Sequence, residues 1–208
     1  MAIDRPALLA PFNIGGWLPT TRVVPAALSG EGATERWDGI DIEALRGQAA
    51  SRIAAWRGGV GEGEPAVVTI ELADQPGHAA LFNELAAQWT TIGVTVRRAE
   101  EGQRADLVLV DRVARYAAPL WFLNQFNCAL RRGACSAEAD AAVREALAAD
   151  PAARSEGIAR AEAMLTAANV YIPLAMPLRW SLVRGDVAGY AANPWAWHPL
   201  PDLATLPR

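Results

Sequence analysis

The stretch that decides the fold runs from residue 67 to residue 96, VVTIELADQPGHAALFNELAAQWTTIGVTV. Its first six residues are rich in β-branched side chains and predict a strand. Asp74 then opens a predicted helix whose apolar residues follow helical spacing, and Gly93 ends it. Residues 94–96 and 106–110 predict the next two strands. A strand, a helix and further strands in this order indicate an α/β domain.

Helical and strand patterns continue on both sides of this stretch. Residues 12–40 are rich in glycine, proline and threonine, and they predict a long irregular connection. A short helix is predicted from Asp4, ending before Pro11. Further helices are predicted from Asp41 to Gly58, from Ser136 and from Asp150, and further short strands at 171–174 and 180–183.

Composition and charge exclude several classes of protein. The chain has 208 residues, 52% of them hydrophobic, and a formal net charge of -4. That composition folds, so a wholly disordered chain is excluded. No basic block exists that would bind nucleic acid, and no apolar run is long enough to span a bilayer. The first residues, MAIDRP, lack the pattern of a signal peptide, so pattern alone predicts a soluble cytoplasmic protein if the chain is complete.

Motifs for catalysis and cofactor binding are absent from the sequence. The glycine-rich run 59–63 precedes a strand, whereas a dinucleotide fingerprint follows one, so it predicts a flexible linker. No serine lies in a G-x-S-x-G elbow, and neither His78 nor His198 lies in a metalloprotease pattern. The sequence therefore predicts no catalytic residue, no cofactor, no metal site and no enzyme activity.

Two cysteines, Cys128 and Cys135, lie seven positions apart in a loop-like stretch. Two thiolates alone do not make a structural zinc site, which takes four ligands. A short-loop disulfide and a pair of inert thiols both fit the spacing. An oxidising compartment favours the disulfide.

Tryptophan is in excess, with 8 residues in the chain. Trp56 and Trp89 lie on the apolar faces of predicted helices, which predicts core packing. Trp121, Trp195 and Trp197 lie in irregular segments next to proline. Aromatic side chains there line a ligand cleft or pack in a core, and both interpretations stay open.

Several short segments carry a resemblance when they are taken in order. These are AIDR at 2–5, WLP at 17–19, IGVTV at 92–96, DLVL at 106–109, DPAAR at 150–154, IPL at 172–174 and VAGY at 187–190. Together they resemble the C-terminal lobe of the family 5 extracellular solute-binding proteins, the dipeptide and oligopeptide receptors of ABC importers. No single segment is specific, but their order covers nearly the whole chain.

The resemblance implies a fold and a place in a larger protein. It implies an α/β fold, one lobe of a type II periplasmic-binding-protein fold with a mixed β-sheet flanked by helices. Residues 1–208 would be a single lobe, a fragment of a two-lobe receptor whose N-terminal lobe and signal peptide are missing here. Residues 185–208 would be a tail that crosses back to the missing lobe. The surface that the missing lobe covers would promote self-association of the isolated chain.

The function implied is capture of a small solute or peptide, without catalysis, and delivery to an ABC permease from the periplasm. The alternative is the ligand-sensing domain of a cytoplasmic regulator built on the same fold. The redox state of the two cysteines separates them, because a disulfide favours export and free thiols favour the regulator. A third interpretation, an enzyme on an α/β scaffold, lacks a convergent cluster of titratable groups.

The departure from the family pattern concerns the ligand. Peptide-binding members carry a segment resembling G-W-x-A-D-Y-x-x-P, whose acidic residue holds the α-amino group of the ligand. This chain has DRVARYAAP at 111–119, where Arg112 replaces the tryptophan, Arg115 replaces the acid and Tyr116 is retained. A guanidinium repels an ammonium group and binds a carboxylate or phosphate.

We therefore expect an anionic ligand, or one held differently, and predict that Arg112, Arg115, Tyr116 and Trp121 bind it. The alternative is that the two arginines pair with Asp111 or other local acids and do not meet a ligand.

Overall fold

The computed structural model describes residues 1–29, 35–100, 102–191, 193 and 204–205. Contacts divide the chain into two compact units. Unit 1 comprises Met1–Pro19 and Arg36–Asp111, and unit 2 comprises Thr20–Glu35 and Arg112–Arg208. The prediction of a single lobe over residues 1–208 stays a prediction. Most of the predicted tail lies outside the described residues, including Trp195, Trp197 and His198.

Unit 1 is built around a three-stranded parallel sheet with the order β3-β2-β4. Strand β2 runs in register with β3 from Ala66 opposite Val94, and its end pairs with β4, Ile70 opposite Leu107. The helices and strands of unit 1 are α1 (Arg5–Leu9), β1 (Leu18–Pro19), α2 (Ile42–Gly58), β2 (Ala66–Glu71), α3 (Pro76–Thr90), β3 (Val94–Arg98) and β4 (Leu107–Val108).

Helix α1 is fixed to α3 by one side chain. The amide of Gln88 donates to the carbonyl oxygen of Asp4 over 3.1 Å, and the Asp4 amide donates back to Gln88 Oε1 over 2.7 Å. Asp4 also caps α1, because its Oδ1 accepts from the Ala7 amide over 3.0 Å. A glutamine amide both donates and accepts, so Gln88 satisfies the Asp4 backbone while it is itself buried.

Strand β4 is held to β2 by a carboxylate. Asp106 Oδ2 accepts from the amide and the hydroxyl of Thr69 over 2.8 and 2.7 Å, and the Asp106 amide donates to the same hydroxyl. These hydrogen bonds from the Thr69 side chain and backbone hold the pKa of Asp106 below its ordinary value. The ladder with β2 covers only Leu107–Val108 of the predicted strand 106–110.

Unit 2 is mainly helical. Helices α5 and α6 pack so closely that a Cβ built on Gly157 would lie 2.7 Å from the Cβ of Ala146. Val24 and Leu123 join the apolar faces of both helices in one buried cluster. The helices and strands of unit 2 are α4 (Pro119–Leu123), α5 (Ala137–Ala148), α6 (Pro151–Ala167), β5 (Ala175–Met176), β6 (Val187–Ala188) and β7 (Ala204–Thr205), with β6 and β7 antiparallel.

The segment 20–29 is joined to α6 by a buried ion pair. Arg22 Nη2 lies 2.7 Å from Glu162 Oε2, and the two side chains are only 9% and 10% exposed. Arg22 Nη2 also donates to Ser29 Oγ over 2.6 Å, and the Val24 amide donates to Glu162 Oε1. The ends of 20–29 are therefore fixed to a helix more than a hundred residues further along the chain.

Three further predicted elements differ from the structure. Helix α3 begins at Pro76 with Gln75 as its N-cap, so Asp74 lies outside it. The strand predicted at 171–174 is displaced to Ala175–Met176, and the segment 180–183 forms no strand. Trp56, predicted to pack in the core, is 42% exposed, because its ring lies over the turn at Gly61 instead.

Candidate functional site

The predicted binding residues lie in the segment that enters α4. This helix begins at Pro119, where proline's missing N–H costs no hydrogen bond. Arg112, Arg115 and Tyr116 are exposed, whereas Ala114 between them is buried and anchors the segment. Trp121 is half-buried, and its ring packs edge-on against Phe122 with 5.0 Å between the ring centres. The segment therefore presents polar groups to solvent from a fixed backbone.

Arg112 takes part in a small polar cluster. Its Nη1 donates to Oε1 of Gln125 over 2.7 Å. The Gln125 amide in turn donates to the backbone carbonyl of Trp121 over 2.9 Å. Arg132 Nη1 donates to the same Gln125 Oε1 over 3.2 Å. The structure thus brings Arg112 and the Trp121 backbone together with two residues that the sequence did not predict.

Arg115 and Tyr116 do not join this cluster through hydrogen bonds. The Arg115 guanidinium has no hydrogen bond or ion pair within the part of the chain that the structure describes. Tyr116 contributes only its backbone carbonyl, which accepts from the Ala118 amide over 3.0 Å. Both side chains are free to contact a ligand, and neither is held in position by the cluster.

Arg132 is carried by a loop that a disulfide closes. Cys128 and Cys135 are bonded through their sulfur atoms, with their Cα atoms 5.2 Å apart. The loop is further fixed at its start, where the Cys128 amide donates to Asp140 Oδ2 over 2.9 Å. The cysteine pair brackets Arg131 and Arg132, and this was the only sequence signal that could have pointed to Arg132.

A second candidate is a cleft of about 680 Å³ in unit 1. It lies beyond the carboxyl ends of β2 and β3, the edge where ligands bind in open α/β sheets. Its charged lining is mixed in sign, and no ion pair joins these groups to one another among the described residues. The charged lining residues are Glu71, Asp74, Arg98, Glu100 and Arg104.

Arg98 is the one cleft cation with an aromatic contact. Its guanidinium carbon lies 5.7 Å from the centre of the Phe82 ring, a cation–π distance. A cleft that offers separate acids and arginines suits a ligand that carries both charges, such as a peptide or amino acid.

The described residues contain neither a candidate membrane-spanning helix nor a candidate metal-binding cluster. None of the described helices combines the length and apolarity needed to cross a membrane. No group of three or more histidine, cysteine or acidic side chains that could hold a metal ion occurs in the described ranges.

The fold is similar to that of several solved peptide-binding proteins. OppA of Haemophilus influenzae, in complex with RPPGFSPFR, matches with a TM-score of 0.82 and 19% identity, over 99% of this chain and 44% of that one. OppA of Burkholderia pseudomallei matches with a TM-score of 0.80 and 19% identity, over 99% and 44%. The murein tripeptide binding protein MppA of Escherichia coli matches with a TM-score of 0.77 and 20% identity, over 91% and 40%.

These matches establish the fold. No family model and no curated protein sequence matches the chain. The chain spans less than half the length of the three solved proteins. The prediction of an α/β fold is confirmed, and this fold is similar to part of the fold of the three solved proteins.

Proposed function

We propose that the chain is the C-terminal lobe of a two-lobe receptor that captures a peptide-type solute for an ABC importer, without chemical conversion. The observation that carries the proposal is the match to Haemophilus influenzae OppA over 99% of this chain, a protein solved with a bound peptide. MppA of Escherichia coli, which also has a similar fold, is by its name a tripeptide binding protein and not an enzyme. The chain's 44% share of the OppA length fits one lobe of a larger receptor.

In this proposal the chain supplies half of a binding cleft. The unit 1 cleft at the carboxyl ends of β2 and β3 offers acidic and basic groups that are not paired with one another. A missing N-terminal lobe would close over the solute by hinge motion, and the closed receptor would dock on the permease. The parent protein would work in the periplasm. A half-cleft buries little of a ligand, so the isolated chain should bind weakly.

The ligand is proposed to present an acidic group to the segment 112–121. Arg112 and Arg115 stand where peptide-binding members carry a tryptophan and an acid, and both guanidinium groups are exposed. Tyr116 and Trp121 would contribute aromatic surface beside that group. The support is chemical, since guanidinium groups bind carboxylates and phosphates through paired hydrogen bonds.

An exposed apolar segment supports the existence of a missing lobe. Leu178, Trp180 and Leu182 occupy alternate positions in a stretch without regular secondary structure, and the last two are 86% and 93% exposed. Large apolar side chains in a row are rarely left in water unless a partner covers them. We propose that the N-terminal lobe covers this segment in the parent, and that the isolated chain self-associates through it at high concentration.

The proposal is tested by titrating the 208-residue chain with a tripeptide and recording amide resonances by NMR. We expect weak, saturable shifts at the carboxyl ends of β2 and β3 and over 112–121, and intact peptide by mass spectrometry afterwards. The same tripeptide made from D-amino acids serves as the matched control ligand. Hydrolysed peptide, or no saturable shift at these positions, would count against the proposal.

The cytoplasmic regulator remains the alternative prediction. The disulfide between Cys128 and Cys135 supports export, because the cytosol keeps thiols reduced. Mass spectrometry of the alkylated protein, isolated from its own cells without reductant, decides between the two. Free thiols would favour the regulator.

A further inference from the structure

Two cationic side chains converge on a single neutral oxygen in unit 2. The Nη1 atoms of Arg112 and Arg132 lie 2.7 and 3.2 Å from Gln125 Oε1. Neither guanidinium makes an ion pair with a carboxylate within the described ranges. Like charges that share one amide oxygen repel each other, and a neutral acceptor compensates that repulsion poorly. The arrangement offers a place for a negative charge.

We propose that Arg112 and Arg132 bind an oxyanion together, as a two-arginine clamp. In this structure Gln125 Oε1 lies where an oxygen atom of that anion would bind. The inference deepens the proposed function, on which it rests, by naming the acid-binding pair of the receptor. Arg115, the second arginine that the sequence predicted, is not a member of the clamp. Arg132, which the sequence did not predict, is.

The shared acceptor and one arm of the clamp are positioned by the fold. Gln125 is fixed by its bond to the Trp121 carbonyl, so its oxygen stands at a defined point. Arg132 sits in the loop that the disulfide closes, and Arg131 before it adopts a left-handed backbone with a φ of 50°. Reduction of the disulfide releases the loop and with it one arm of the clamp.

The chemistry selects the ligand group. A guanidinium presents its N–H donors in a planar fork, and two forks can share the oxygens of one carboxylate or phosphate. The group could be the carboxylate of an acidic side chain or chain end, or a phosphate ester. Inorganic phosphate and succinate are therefore the two probes, with succinamide as the uncharged match for succinate.

The test uses the 208-residue chain labelled with nitrogen-15 and follows the arginine Nε–Hε resonances by NMR. We expect the Arg112 and Arg132 resonances to move together with one Kd for phosphate, for succinate or for both, and not for succinamide. Whichever anion binds identifies the source of the oxyanion. Shifts that do not saturate, or that spread over all exposed arginines, overturn the clamp.

Two neighbouring arginines give matched variants. Arg132→Gln removes one arm and should raise Kd about tenfold or more, the loss expected for one hydrogen bond to a charged group. Arg131→Gln removes the same charge one residue away and should change Kd by no more than about twofold, because Arg131 does not donate to Gln125 and exposed charges that make no direct contact interact weakly in water. Equal weakening by both variants means that only the general field of the surface attracts anions, and it refutes the clamp.

A third variant should act in the opposite direction. Gln125→Ala removes the group that competes for the two guanidiniums, so Kd should fall. Under a purely structural role for the cluster the same variant would loosen both arginines and raise Kd. Adding reductant should raise Kd in the unsubstituted chain and leave Arg132→Gln unaffected, because that variant has already lost the loop's contribution.

Failure of the clamp can be told apart from failure of the proposed function. Peptide binding at the unit 1 cleft without movement of Arg112 and Arg132 refutes the clamp alone. Anion binding at the two arginines without any peptide binding refutes peptide capture and leaves the clamp in place.

Discussion

Replacing Glu162 by glutamine tests the energetic role of the ion pair that joins segment 20–29 to α6. The change keeps the shape of the side chain but leaves Arg22, whose side chain is 9% exposed, without its ion-pair partner. An arginine cannot relieve this by losing its proton. Removing one partner of a buried pair typically costs about 3–5 kcal/mol, a large fraction of the 5–15 kcal/mol that holds a domain together.

The geometry places this pair near the middle of that range. Two contacts join the side chains, Nη2 to Oε2 at 2.7 Å and Nε to Oε1 at 3.3 Å. The glutamine keeps one oxygen for the Val24 amide, which donates to Glu162 Oε1, but its NH2 group faces an Arg22 donor and replaces one of these contacts. We expect a loss of about 4 kcal/mol in the free energy of unfolding of unit 2.

The assay is urea unfolding followed by tryptophan fluorescence and circular dichroism. Arg160→Gln is the control, because its pair with Glu145 spans 3.2 Å but is 56% and 69% exposed. An exposed pair contributes about 0–1 kcal/mol. A loss for Glu162→Gln no larger than for Arg160→Gln would refute the reasoning. The double variant Arg22→Met with Glu162→Met should recover most of the loss, because it leaves no unpaired charge in the core.

Two further predictions concern a carboxylate and a pair of glycines. Burial acts to raise the pKa of Glu35, but hydrogen bonds from two threonine side chains and a backbone amide outweigh it and hold that pKa below its ordinary value. Glu35 therefore stabilises the fold above its unfolded pKa of about 4.3, and this contribution is lost as the pH falls through the lower folded pKa. We expect the unfolding temperature of Glu35→Gln to change less with pH over this range than that of the unsubstituted chain. Gly157→Ala should cost about 1–3 kcal/mol, because its Cβ would lie 2.7 Å from that of Ala146. Gly47 lies in α2, and a Cβ built on it would have no neighbouring atom within 4 Å, so Gly47→Ala should stabilise the fold by about 0.5–1 kcal/mol. Equal effects of the two substitutions on the urea midpoint would contradict the packing described for Gly157.

The sequence predicted the helices better than the short strands, for a physical reason. A helix closes its hydrogen bonds within one segment, so apolar spacing and caps such as Asp41 and Ser136 suffice to place it. A strand needs a partner that the local pattern does not reveal. The segment 180–183 has strand composition but no partner in the described ranges, and the ladder of β4 stops after Val108.

The candidate site could be predicted only in part. Arg112 was predicted because the segment 111–119 resembles a family pattern that marks its position. Arg132 lies 20 positions later in the chain, and only the fold of α4 and the closed loop bring both to one Gln125 oxygen. Trp56 was misplaced because helical spacing gives the face of a helix but not what covers that face.

The interleaving of the two units has a consequence for synthesis on the ribosome. Residues 20–35 emerge early, but the glutamate that pairs with Arg22 lies 140 residues further on. Unit 1 has all its residues once Asp111 has emerged, so it can fold first. Until α6 follows, Arg22 lacks the carboxylate of Glu162, and Val24 lacks the helix face that buries it. We expect this interval to be the time when the newborn protein depends most on chaperones.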